Sequence, residues 1–246
     1  MDSILRSFRL QKQLNPEVWE NAETNDFDQI KLKTEIRTNL LKIAQEFIDS
    51  LKVENIDVED VLFVGSLANY NWSTYSDVDL HIVIDKSKLG DNKDVIDEFL
   101  TAKKDLFLLK HKITIKGFDV ELYAQDVDEE LESIGQYSIL YNKWEDTPTR
   151  EGFNLDKKDV IKKIKDFVKA LSAIESMEDS DEKVAKLAAL KEKISNYRKA
   201  GLKKGGELSN ENLVFKYLRR CGYMEKLLNL KLKTQDTLLT VEHPEL

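Results

Sequence analysis

Two aspartates separated by a single residue are the first sign of chemistry in this chain. In Ser76-Asp77-Val78-Asp79-Leu80-His81-Ile82 they open an apolar run, Val78 to Ile84, whose β-branched residues and period-two alternation predict a strand. Strand side chains alternate between faces, so Asp77 and Asp79 project together. Neighbouring carboxylates on a half-buried strand repel, and the pair is costly unless positive charge lies between them. Mg²⁺ suits this role, because it takes one or two carboxylates together with substrate phosphates. A third acid is at hand in Gly117-Phe118-Asp119-Val120-Glu121-Leu122-Tyr123, where apolar residues alternate with Asp119 and Glu121. A strand here, next to the first, places one of these two acids beside the pair. Three carboxylates around two divalent ions stabilise the attacking and leaving oxygens of an in-line phosphoryl displacement.

Upstream lies Gly65-Ser66, after the apolar run Val61 to Val64 and before a helix-capable Leu67-Ala68-Asn69-Tyr70. Glycine lets a backbone approach a phosphate closely, N–H groups at a helix start favour an anion, and Ser66 adds a hydroxyl. A Gly-Ser pair alone means little; followed by Asp-x-Asp on one strand and an alternating acid on another, it describes a phosphate site. Other residues near the motif read first as structure. His81 shares the aspartate face and reads as a satisfied histidine, with contact to phosphate or acceptor as the functional alternative. Tyr70, Trp72 and Tyr75 read as loop packing, and the acids from Asp126 to Glu132 as a solvated loop or helix start.

The positioning elements fall into two regimes. Phe27 to Leu51 has helical periodicity, as does Asn92 to Lys110, and the strands are Val61–Val64, Val78–Ile84, Lys112–Lys116 and Phe118–Ala124. Helices interleaved with strands predict a mixed sheet with helices packed on it. From Asp156 onward the pattern is helical: one helix capped by Asp156, one starting at Ser180 or Asp181 and ending near Gly201, Gly205 and Gly206, and one starting at Ser209 and carrying Leu213 through Leu228. Trp144 to Gly152, with a Pro and a Gly, reads as the junction. The expectation is an α+β fold: a mixed-sheet domain at 1–150 and an all-helical domain at 151–246.

Composition limits the alternatives. One cysteine, Cys221, among 246 residues excludes an internal disulfide framework or a cysteine-rich zinc site, and the three histidines lie far apart. No apolar run approaches the roughly 18 residues of a membrane span, and the N-terminus lacks a signal-peptide core, so a cytoplasmic protein without a membrane partner is expected. The net charge of −8 divides unevenly. Residues 1–150 carry 18 basic and 30 acidic side chains, and residues 151–246 carry 20 and 16. The acidic balance opposes non-specific duplex binding over the whole surface, but leaves room for a local basic cleft. In the helical part Lys216, Arg219 and Arg220 fall on one helix face, and a run from Tyr197 to Lys204 is also basic. Either set reads as solvated helix surface, or as a contact to a triphosphate or a nucleic-acid backbone.

Gly65-Ser66, Asp77-Val78-Asp79 and Val120-Glu121-Leu122 together resemble the nucleotidyltransferase superfamily of polymerase-β-like fold. The wording from Gly65 to Asp85, with VELYAQD further on, is similar to nucleotidyltransferases of the kind encoded by bacteriophages. The likeness covers roughly residues 61–124. It implies that Gly65 and Ser66 hold the triphosphate, that Asp77 and Asp79 bind both metals, and that the third acid binds the catalytic metal and positions or deprotonates the attacking hydroxyl. Glu121 is preferred over Asp119 for that third role. It implies Mg²⁺, with Mn²⁺ as a substitute, a nucleoside triphosphate with ATP first among them, and an activity of EC 2.7.7 type. Lys216 and Arg219 are carried as nucleotide-binding candidates. The acceptor stays open among an RNA or tRNA end, a protein hydroxyl and a second nucleotide. The alternative is a catalytically weak nucleotide-binding or partner-binding protein on the same fold.

Overall fold

The computed structural model describes residues 8–54, 56–131, 133–150 and 156–241. The chain divides into two compact units, one within Arg9–Glu151 and one within Gly152–Leu246 that also takes in Phe8. The first is a mixed α+β layer structure, and the described part of the second is helical.

In the first unit, strands β1 (Trp19–Glu20) and β2 (Lys31–Leu32) pair with each other, and helix α1 spans Thr34–Leu51. Strand β3 (Val58–Val64) leads through a three-residue 3₁₀ turn, Ser66–Ala68, and a loop to β4 (Val78–Ile84). Helix α2 (Lys93–Lys110) is capped by Asn92, whose Oδ1 accepts the Val95 N–H at 3.2 Å. Strands β5 (Thr114–Ile115), β6 (Phe118–Asp126), β7 (Gln136–Ser138) and β8 (Lys143–Asp146) follow. The six-stranded sheet has the order β5-β6-β4-β3-β7-β8. Among the described residues only β4 and β6 run parallel; they can do so because α2 supplies the crossover that a parallel pair needs.

One face of the sheet is the core. Val61 and Phe63 of β3, Val78, Leu80, Ile82 and Ile84 of β4, and Val120, Leu122 and Ala124 of β6 are buried with Ile36, Leu40 and Phe47 of α1 and Ile96, Leu100 and Phe107 of α2. At one side stands Trp19, 1% exposed. Its ring stacks on Trp144 at 4.6 Å and meets Phe63 and Tyr137 edge-on at 5.5 and 5.0 Å. Its Nε1–H donates to the Leu67 carbonyl at 2.8 Å, which fastens the Ser66–Ala68 turn to the core.

Several expected boundaries are corrected. The first helix starts at Thr34 rather than Phe27, because Lys31–Leu32 is spent on pairing with Trp19–Glu20. The strand read over Lys112–Lys116 shrinks to Thr114–Ile115, since Lys116 and Gly117 both take positive φ (51° and 82°) and form the turn into β6. Trp144, read as part of a junction, lies in β8 and packs on Trp19.

The second unit holds α3 (Lys157–Glu175), α4 (Asp181–Gly205), α5 (Asn210–Arg220) and α6 (Tyr223–Leu239). Asp156, Ser180 and Ser209 cap the first three through their side-chain oxygens. The helix expected to start at Ser209 and carry Leu213 through Leu228 is instead broken at Gly222, whose φ of 73° ends α5 and turns the chain into α6. Val160, Ile164, Leu187, Ile194, Val214, Leu218 and Leu227 form this unit's core, with Phe8 packed among them. Among the described residues no helix is long and apolar enough to cross a membrane.

Trp19 combines full burial with a single anchoring hydrogen bond. Trp19→Ala is expected to cost about 3–5 kcal/mol and Trp19→Phe less, with the lost indole bond alone worth about 1 kcal/mol. Chemical denaturation of both variants checks the order, and an unchanged Trp19→Ala would contradict the packing described.

Candidate active site

The face of the sheet opposite the core carries the acids. In the parallel register of β4 and β6, Asp79 stands level with Glu121 and His81 level with Tyr123. In the antiparallel register of β3 and β4, Val64 stands level with Asp79. The last residue of β3 before the Gly-Ser turn is thus the neighbour of the second aspartate. Asp77 lies one residue before β4 begins, and the same register carried back two places sets Asp119 beside it. Asp119 pairs across its other edge with Thr114 of β5, whereas Glu121 is the acid matched to an aspartate inside the β4–β6 ladder.

Gly65 is held by two independent constraints. Its φ of 72° and ψ of −157° lie in a region that residues with a side chain scarcely enter. A Cβ at this position would also overlap the Asp79 carboxylate, which lies directly against the Gly65 backbone. Serines hold the surrounding loop. The Ser66 hydroxyl donates to Ser76 Oγ at 2.8 Å, and Ser76 Oγ also accepts the Ser73 N–H at 3.0 Å. Ser76 immediately precedes Asp77, so this bond ties the turn to the entry of β4. Ser66 was expected to offer its hydroxyl to phosphate; in this structure that hydroxyl is engaged with Ser76 and Ser66 is buried. The Gly65 N–H donates to Ser133 Oγ at 3.3 Å, and the Ser133 hydroxyl donates to the Gly135 carbonyl at 3.0 Å. The helix foreseen over Leu67–Tyr70 is only the 3₁₀ turn Ser66–Ala68, too short for a helix dipole to add an appreciable field.

Along the acid face, His81 Nδ1 lies 3.0 Å from Gln125 Oε1, and its ring lies 5.0 Å from that of Tyr123. Burial, the largest influence, lowers the His81 pKa below its ordinary value, against the opposing effect of the Gln125 bond. The Tyr123 hydroxyl donates to both Glu129 carboxylate oxygens, at 2.8 and 3.0 Å, and Gln125 Nε2 donates to the Glu129 carbonyl at 3.0 Å. Sequence reasoning gave Tyr123 and Gln125 no role and read Glu129, within Asp126 to Glu132, as part of a solvated loop or helix start. The first two continue the alternation that begins at Asp119 and Glu121, and that period could have revealed them. Asn69 was also missed. It is buried beside the turn; its Oδ1 accepts the Tyr70 N–H, and its Nδ2 has no hydrogen-bond partner among the described residues. Of the loop aromatics, Tyr70 is buried beneath the Arg150 guanidinium at 4.5 Å, and Trp72 donates to the Gln13 carbonyl at 2.9 Å, so both pack the loop.

The α/β unit therefore gathers Gly65, Ser66, Asp77, Asp79 and Glu121 at one end of β3, β4 and β6. Lys216 and Arg219 belong to the helical unit, on α5; Lys216 Nζ lies 3.9 Å from a Glu207 carboxylate oxygen, and Arg219 is exposed. Among the described residues no three His, Cys, Asp or Glu side chains are drawn together closely enough to cage a metal ion by themselves. The donor set nonetheless fits a hard cation that keeps water and substrate oxygens in its shell: it is all carboxylate, in register, with backbone close against Asp79.

No protein-family model matches the chain. A thymidylate kinase of Campylobacter fetus subsp. fetus (strain 82-40) is 26% identical over 141 residues, covering 56% of this chain and 73% of that protein. Among solved structures, the STING-associated CdnE c-di-GMP synthase from Capnocytophaga granulosa aligns over 96% of this chain and 98% of its own, at 15% identity and a TM-score of 0.24, too low to establish a shared fold.

The contact of Gly65 with Asp79 can be tested alone. Gly65→Ala is expected to destabilise the α/β unit by about 1–3 kcal/mol through backbone strain, with added displacement of Asp79. A melting temperature equal to wild type would mean that the turn and the carboxylate are not in contact.

Proposed function

We propose that this chain is a Mg²⁺-dependent nucleotidyltransferase of polymerase-β-like fold, with a catalytic domain at 1–150 and a helical domain at 151–246. The supporting observation is the level pairing of Asp79 with Glu121, with Gly65 pressed against the Asp79 carboxylate. Asp77, Asp79 and Glu121 are the residues that would hold Mg²⁺, or Mn²⁺ in its place, and bound metal would offset phosphate charge as the displacement proceeds. The Gly65-Ser66 backbone receives the phosphates of a nucleoside triphosphate, ATP first among them. Lys216 and Arg219, on α5 of the helical unit, are carried as nucleotide-binding candidates of that unit. An acceptor hydroxyl oxygen attacks the α-phosphorus, the bond from that phosphorus to the bridging oxygen of the leaving group breaks, and pyrophosphate departs. Glu121 takes the hydroxyl proton on its carboxylate. RNA ends, protein hydroxyls and nucleotides are the acceptors to be tried, because fold and site chemistry do not choose among them.

A second reading comes from the thymidylate kinase likeness: transfer of the γ-phosphoryl group to a nucleotide. Against it, no G-x-x-x-x-G-K-[ST] phosphate loop occurs anywhere in the 246 residues.

Incubation with α-³²P- and γ-³²P-labelled nucleoside triphosphates, Mg²⁺ and the three acceptor classes separates the readings. Nucleotidyl transfer moves the α label to acceptor and releases the γ label in pyrophosphate, whereas kinase chemistry moves the γ label alone. Asp79→Asn, nearly unchanged in shape, is expected to lower α-label transfer by about 10³-fold, or ~4 kcal/mol of transition-state stabilisation. Full transfer by this variant would refute the reading.

A further inference from the structure

On the acid face, His81 occupies the place one strand repeat beyond Asp79, and its two ring nitrogens have different surroundings. The tautomer follows from a chain of hydrogen bonds. The Glu129 carbonyl can only accept, so the Gln125 atom 3.0 Å from it is the amide nitrogen. The Gln125 oxygen therefore faces His81 Nδ1 at 3.0 Å, and an amide oxygen can only accept. Nδ1 must carry the proton. In a neutral imidazole the lone pair then resides on Nε2. Among the described residues Nε2 has no hydrogen-bond partner, and it is not among the atoms sealed from solvent. The ring is held in this pose by Tyr123, whose hydroxyl is anchored on the Glu129 carboxylate. Glu129 thus fixes both the ring and its tautomer, once through its side chain and once through its backbone.

Resting on the nucleotidyltransferase reading, we propose that His81 Nε2 accepts a hydrogen bond from a sugar hydroxyl of the bound nucleotide and so distinguishes nucleotides that carry sugar hydroxyls from those that lack them. A neutral acceptor has no use for phosphate, which donates nothing at neutral pH, and it suits a hydroxyl. Two strand residues advance about 6.6 Å, which separates His81 from Asp79 by a distance comparable to that between the α-phosphate and the sugar hydroxyls of one nucleotide.

Two measurements test the proposal on the full-length protein. Long-range ¹H–¹⁵N spectra of histidine-labelled protein, recorded above the ordinary histidine pKa of about 6.5 and assigned with His81→Asn, are expected to show Nδ1 protonated and Nε2 bare. The opposite tautomer overturns the proposal without reference to activity. Calorimetric binding of Mg²⁺-ATP and Mg²⁺-2′,3′-dideoxyATP is then compared. Wild type is expected to prefer ATP by about three- to tenfold, the value of one neutral hydrogen bond. His81→Asn, which keeps a donor toward Gln125 but lacks the outer acceptor, is expected to bring the ratio near one. His81→Gln, which places a carbonyl near the former Nε2, is expected to restore part of it. A merely structural histidine would weaken both ligands together and leave the ratio unchanged. Equal binding of the two nucleotides by wild type overturns the His81 assignment and leaves the nucleotidyltransferase reading standing. Binding of neither nucleotide overturns both.

Discussion

Like charges set side by side by a β-sheet register are the constraint on which this structure turns. Once Val78 pairs with Val120, Asp79 has to stand level with Glu121, because the parallel ladder admits no partial slip. A slip of β6 by one residue would turn Leu122 to solvent and Glu121 into the core. The hydrophobic face therefore enforces the acidic one. Burial of Leu80, Ile82, Val120 and Leu122 holds together carboxylates that would otherwise separate. A cation shared between them would relieve that repulsion, which is the ground for proposing a metal-dependent site.

The remaining elements keep that face in place. Trp19 links the aromatic cluster to the Leu67 carbonyl, so the Ser66–Ala68 turn cannot drift from the end of β3. The Ser66–Ser76 bond then joins the turn to the residue before Asp77. Gly65 lies between these two ties, and its missing side chain is what allows the Asp79 carboxylate to rest against the backbone. Farther along the same face, Glu129 organises Tyr123, Gln125 and, through Gln125, His81. A segment that reads as solvated acid in the sequence thus contains the anchor of a polar network.

What could be read from the sequence follows the strength of its periodic signal. β4 and β6 alternate over seven and nine residues, so their existence, their faces and the shared side of Asp77, Asp79, Asp119 and Glu121 were legible. The pairing of Asp79 with Glu121 was not, since alternation fixes a face but not a register. β1, β2, β7 and β8, at two to four residues each, are too short to show any period and are held by tertiary partners such as Trp19 with Trp144. The same tertiary pairing shortened the first helix, because Lys31 and Leu32 gain more from the strand opposite than from one more helical turn. At Gly222 a glycine inside the run read as one helix proved to be its stop. The tautomer of His81 depends on a carbonyl 48 residues away and has no signature in local sequence.

The central claim is that the acid face is completed by a divalent cation, and thermal unfolding with and without Mg²⁺ tests it most directly. The melting midpoints of wild type and Asp79→Asn in metal-free buffer are the two references. Mg²⁺ is then expected to raise the wild-type midpoint by a few degrees, as about 1 kcal/mol of linkage does for a chain of this size, and to leave Asp79→Asn unmoved. Equal stabilisation of both proteins, or of neither, would contradict the account.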